Sequence, residues 1–159
     1  MWHGLKYKLN YWEQTNVPPA SLAQMPKTIL LADDSPLVGQ TLYKFLATEG
    51  SFELCAQAGD GNEAISLAKQ CKPDLVILDL AMPKMSGLEA ARELKKIMPA
   101  VPIILLTLHA GIVEESFAKD WGVDLVLPKG NFTGLMDRVR TLLCVRTGEE
   151  DTQFSEPIR

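Results

Sequence analysis

The run DLVILDLAMPKMSG, residues 74–87, decides how this chain folds. Leu75 to Leu78 are consecutive apolar residues, too short a run for a helix and lacking the polar alternation of a half-exposed strand. Such a run suits a parallel strand covered on both faces. Asp79 closes it, and Pro83 and Gly87 read as residues that shape the following turn. Working outward, the pattern recurs: TILLA precedes Asp33 and Asp34, PIILL precedes Thr107, and VDLVLP precedes Lys129. In a parallel sheet the carboxyl ends of the strands share one edge, so these distant polar residues are expected to meet there.

Strands are expected at 28–33, 52–57, 74–79, 102–107 and 123–127, and helices at 35–48, 61–71, 87–97, 111–120 and 132–144. Ser35 is the expected cap of the first helix, with Pro36 at its first position and Gly50 as its stop. Val38, Leu42, Phe45 and Leu46 make its inward stripe, and Leu88, Ala91 and Leu94 that of the third helix. Strands alternating with helices predict an α/β, doubly wound parallel sheet with five strands and five helices.

A chain of 159 residues accommodates one domain with terminal segments to spare. A 47% apolar and 23% charged composition is that of a soluble globular protein. The net charge of −4, without a basic cluster, argues against direct nucleic-acid binding. The longest apolar runs are strand-sized and no signal core opens the chain, so no membrane association and a cytoplasmic location are expected. Cys55, Cys71 and Cys144 lack CxxC spacing and read as reduced thiols, and His3 and His109 are too isolated for a zinc site.

Residues 1–25 form an aromatic-rich extension, expected either to be poorly ordered or to add a docking element. There Leu5, Tyr7, Leu9 and Tyr11 alternate as in a strand, while Trp2, Leu5, Leu9 and Trp12 fit a helical stripe, and the two templates compete. The domain itself is placed at 26–146, and 147–159 reads as a polar, disordered C-terminal tail.

Crowded carboxylates repel one another unless a cation joins them. Mg²⁺ fits, because it takes one or two carboxylates, keeps waters and completes its shell with phosphate oxygens. A carboxylate can itself be the nucleophile toward phosphorus, with Lys129 offering positive charge and Thr107 a hydrogen-bond donor. Singly, each residue has a bland reading as a helix cap, a packed hydroxyl or a solvated cation; their joint placement at strand ends carries the chemistry.

LLADDSP at 30–36, LVILDLAMPKMSGLEA at 75–90, IILLT at 103–107 and LPKG at 127–130 together resemble the receiver domain of two-component response regulators. The resemblance runs from about Met25 to Val145 and implies a flavodoxin-like strand order of 2-1-3-4-5. It implies that Asp79 accepts a phosphoryl group from a sensor histidine kinase or a histidine phosphotransfer protein. Asp33, Asp34, Asp79 and the Ala81 carbonyl would hold Mg²⁺. Thr107 would bind a phosphoryl oxygen and move with it, and Lys129 would pair with the group. The implied protein is a phosphorylation-dependent signalling switch with slow autodephosphorylation and no other enzymatic turnover. It would act on an unidentified downstream protein, as a monomer or a phosphorylation-dependent dimer.

Three positions depart from the family pattern. Val126 stands where many receivers carry an aromatic switch residue, which shifts the expected signal to the Thr107–Gly111 loop. Ala81 replaces a common polar residue and cannot orient an attacking water, whereas His109 is placed to do so. The peptide before Pro128 is open between cis and trans. The expected signalling face carries Glu114, Glu115, Lys119, Arg138 and Arg140. The rival readings are the receiver portion of a DNA-binding transcriptional regulator, an aspartyl-phosphate-forming phosphatase, and a receiver used only for binding. The phosphatase would need an acid where Ala81 stands.

Overall fold

The computed structural model describes residues 25–109, 111 and 113–146, without the side chains of 144–146. The extension before Met25, the tail from 147 and the Cys144 side chain lie outside the described residues. The order is β1 (Lys27–Ala32), α1 (Pro36–Glu49), β2 (Phe52–Ala58), α2 (Gly61–Cys71), β3 (Leu75–Asp79), α3 (Gly87–Ile97), β4 (Ile103–Thr107), α4 (Glu115–Asp120), β5 (Leu125–Pro128) and α5 (Phe132–Arg146). The strands form one parallel sheet ordered β2-β1-β3-β4-β5, the expected topology.

All residues of β3 and β4 are buried, which explains their unbroken apolar runs. Side-chain alternation splits the core in two. Leu30, Ala32, Val76, Leu78 and Leu105 pack with α2 and α3 on one face, while Ile29, Leu31, Ile77, Ile104 and Leu106 pack with α1 and α5 on the other. The three inner strands are thus covered twice, and their polar residues, Lys27, Thr28, Asp79 and Thr107, lie at the ends.

Several local expectations are corrected. The fourth helix begins at Glu115, not 111: Gly111 adopts φ 92°, and Glu114 takes the extended conformation of a cap residue. Ser35 occupies the cap position of α1 without a side-chain cap; its N–H instead donates to Asp33 Oδ1 at 2.8 Å. Phe45 is exposed and stacks on Phe132 of α5, ring centroids 5.8 Å apart. Arg140 is not free on a signalling face, since it reaches back to Glu49 at the end of α1 and to Asp137. No peptide bond among the described residues is cis. Gly50 ends α1 in the left-handed conformation, as expected.

Candidate functional site

Strand register assembles the site. Ala32 of β1 pairs with Leu78 of β3, so Asp33 and Asp79 leave neighbouring strands side by side. Asp79 pairs with Leu106, and Thr107 pairs with Pro128, which brings Thr107 and Lys129 to the same edge. All five expected residues therefore converge. One carboxylate oxygen from each of Asp33, Asp34 and Asp79 lies within 4.8 Å of the others. Lys129 Nζ stands 2.9 Å from both Asp33 Oδ2 and Asp79 Oδ2, and it donates a hydrogen bond to the latter.

The environment is dry on one side and wet on the other. Asp33, Asp79 and Thr107 are 2%, 3% and 4% exposed, whereas Asp34 is open to solvent. A groove of about 1000 Å³ runs from Asp33 and Asp34 along α1 and β2, past Tyr43 and Leu54. Burial pushes the Asp79 carboxyl above the usual range, against the pull of Lys129, and the charge of Asp33 adds to that push. The Ala81 backbone N–H works the other way, favouring the ionised form. Burial opposes the Lys129 ammonium, but its hydrogen bond to Asp79 and its ion pairs with Asp79 and Asp33 prevail and hold it above its ordinary value.

Asp33 Oδ2 is the one buried side-chain oxygen or nitrogen among the described residues without a hydrogen bond, its nearest cation being the Lys129 ammonium at 2.9 Å. Carboxylates at the opposite edge show the contrast. Asp74 accepts from the Thr28 N–H at 2.8 Å, and Asp124 from the Ile103 N–H and Lys95. Those acids fasten strand starts, whereas Asp33 keeps an acceptor unspent. An orphaned buried oxygen beside two more carboxylates and a single ammonium fits a cation such as Mg²⁺.

Thr107 is held by its own loop. Its hydroxyl donates to the His109 carbonyl and accepts from the His109 N–H, both at 3.3 Å. The loop after Asp79 is fixed by residues that sequence reading passed over. Ser86 and Glu89 form a reciprocal cap on α3, a signature legible as S-x-x-E. Lys84, at φ 63°, donates to Asp60 at 2.7 Å, and Asp60 also caps α2 through the Glu63 N–H. No spacing rule links Asp60 to Lys84, so that contact had no sequence signal. Gly87 is required by close approach rather than by a turn: a Cβ there would stand 2.3 Å from the Asp79 carbonyl oxygen and 2.8 Å from Leu105 Cδ1. Val126 packs half-buried against the α2–α3 side of the core.

The family model for the response regulator receiver domain matches residues 29–140. The transcriptional regulatory protein PdtaR of Mycobacterium tuberculosis is 44% identical over 109 residues, covering 67% of this chain and 51% of the relative. The chain spans about half the length of the curated relatives it matches. Among solved structures, the response regulator TrrA of Thermotoga maritima in complex with Mg(2+)-BeF aligns at 38% identity and TM-score 0.65, covering 73% of this chain and 98% of that one. A LuxR-family two-component response regulator from Aurantimonas sp. aligns at 27% identity and TM-score 0.70, covering 76% and 87%.

Proposed function

This chain belongs to the response regulator receiver family, and from that premise we propose that it is a phosphorylation-dependent signalling switch with Asp79 as phosphoacceptor. The observation that carries the reading is the orphaned, buried Asp33 Oδ2 within a three-carboxylate cluster that Lys129 only partly neutralises. Asp33, Asp34, Asp79 and the Ala81 carbonyl would hold Mg²⁺. When bound, the ion supplies charge neutralisation for the carboxylates and for incoming phosphoryl oxygens.

The chain's own residues do the rest. An Asp79 carboxylate oxygen attacks phosphorus, the phosphorus–nitrogen bond of the donor phosphohistidine breaks, and the imidazole leaves with the electron pair. Lys129, already hydrogen-bonded to Asp79, moves its charge onto the new phosphoryl group. Thr107 exchanges its His109 backbone partners for a phosphoryl oxygen, which pulls on the loop that follows. The upstream partner is a sensor histidine kinase or phosphotransfer protein, and the two conformers of the loop are the populations that phosphorylation biases.

Mixing the chain with Mg²⁺ and acetyl phosphate, then weighing it intact, tests this. One added phosphoryl group on the wild type and none on Asp79→Asn is expected. An unlabelled wild type, beside a known receiver that labels in the same tube, overturns the reading. A second reading, the receiver portion of a DNA-binding regulator, is favoured by relatives named transcriptional regulators, of which the matched region covers only 51%. A basic helical module encoded downstream of the Arg159 codon would establish it. Ala81, exposed where a phosphatase would need its acid, leaves that rival without support.

A further inference from the structure

Two thiols lie together outside the acid cluster. The ladder between β1 and β2 runs Ile29 to Leu54 and then Leu30 to Ala56, so Cys55 is the extra residue of a bulge. Bulges re-aim the side chain they release. Cys71 ends α2, just before Lys72 turns the chain at φ 47°. Bulge and helix end bring the two sulfurs to 2.9 Å, with the Cys55 thiol donating to Cys71. Both are free and half-buried. That separation is less than an ångström beyond an S–S bond of about 2.05 Å.

We propose that Cys55 and Cys71 form a dithiol modification site, which low-molecular-weight disulfides oxidise to an intramolecular disulfide. Burial, and then the hydrogen bond to Cys71, pushes the Cys55 thiol above its ordinary range, which leaves the first attack to Cys71. The Cys71 thiolate attacks one sulfur of the small disulfide; that S–S bond breaks, and the expelled thiolate takes up the released proton. Cys55 then loses its proton to the solvent and attacks the Cys71 sulfur. The Cys55–Cys71 bond forms and the second small thiol leaves. The protein dithiol is oxidised by two electrons and the small disulfide is reduced to two thiols.

The bond closes a loop that contains Asp60, and Asp60 holds Lys84 in the segment after the acceptor aspartate. Oxidation therefore fastens the C-terminal end of α2 to β2, while Asp60 already ties its N-terminal end to that segment. The site stands apart from the phosphoryl-acceptance reading and survives its failure.

The test uses the full chain, in wild-type and Cys144→Ser forms, incubated with glutathione disulfide, alkylated and mapped by mass spectrometry without reduction. The expected result is loss of two hydrogens per chain and one crosslinked peptide pair joining Cys55 to Cys71, reversed by dithiothreitol. In Cys55→Ser, where the resolving thiol is gone, Cys71 is expected to retain a glutathione adduct. Oxidised Cys144→Ser is expected to unfold several degrees higher than its reduced form. Cys55 and Cys71 both remaining open to alkylation overturns the proposal, as do crosslinks that involve only Cys144 or a second chain. If Cys55→Ser does not fold, the peptide map of the Cys144→Ser chain decides by itself.

Discussion

Lys129 sets one positive charge between two buried carboxylates, and Asp34 adds a third acid at the rim. The sign of the resulting pH dependence follows from the direction of the Asp79 shift. Burial raises its folded-state value above that of the unfolded chain, so its stabilising contribution is complete below the ordinary carboxylate range and disappears as pH rises through the raised value. At neutral pH an ionised Asp79 is therefore a strained residue, and Asp79→Asn is expected to unfold at a higher temperature than wild type. That gain should shrink as pH falls through the raised value and be gone below about 4, the ordinary carboxylate range, as thermal melts across pH would show. Adding Mg²⁺ at neutral pH should raise the wild-type midpoint and raise that of Asp79→Asn less, since only the native cluster offers all its acids. The same scale holds His109, which we propose orients the water that releases phosphate; His109→Ala should lengthen the half-life of the labelled protein in a time course of intact mass. The convergence of Asp33, Asp34, Asp79, Thr107 and Lys129 was legible in the sequence because each follows or closes an apolar run. Arg140 was misjudged because its partner, Glu49, lies on another helix and leaves no local trace.

Elements position these residues, and they differ in how openly they announce themselves. α3 begins on a reciprocal Ser86–Glu89 cap directly downstream of the loop that follows Asp79. Ser86→Ala should cost about 1 kcal/mol, read as a lower denaturation midpoint with phosphoryl acceptance retained. Gly87→Ala should do more, because its methyl group would collide with the Asp79 carbonyl oxygen. A loss of about 1–3 kcal/mol is expected, together with slower labelling of Asp79. The central strands were legible to within a residue, since unbroken apolar runs allow no other burial. The start of α4 was not. Its residues carry helical periodicity, but Gly111 in a positive-φ turn delays the helix, and a conformation of that kind is chosen by the loop rather than by the pattern. Likewise Ser35 has the right chemistry for a cap, yet Asp33 accepts its N–H from the loop side.

At the level of the whole molecule, the sheet holds two cores apart and presents one polar edge. Ile104, wholly buried between α1 and α5 and the sheet, contributes nothing to the site. Ile104→Ala should cost about 2–5 kcal/mol, seen as a lower urea midpoint with an unchanged slope, while the surviving folded fraction still labels. Strand order was legible only through the family resemblance, because periodicity does not say which strand neighbours which.

Position in that order has a mechanical result. Asp79 sits on β3, which is laced to a neighbour on each side, whereas Lys129 follows β5, which has a single neighbour, β4. The proposed acceptor is therefore anchored, and its counter-charge rides on a free margin of the sheet. In the proposed mechanism, a phosphoryl group that draws the ammonium away from the aspartates lets the margin follow without any ladder of the interior being undone, so the anvil stays still while the hammer moves.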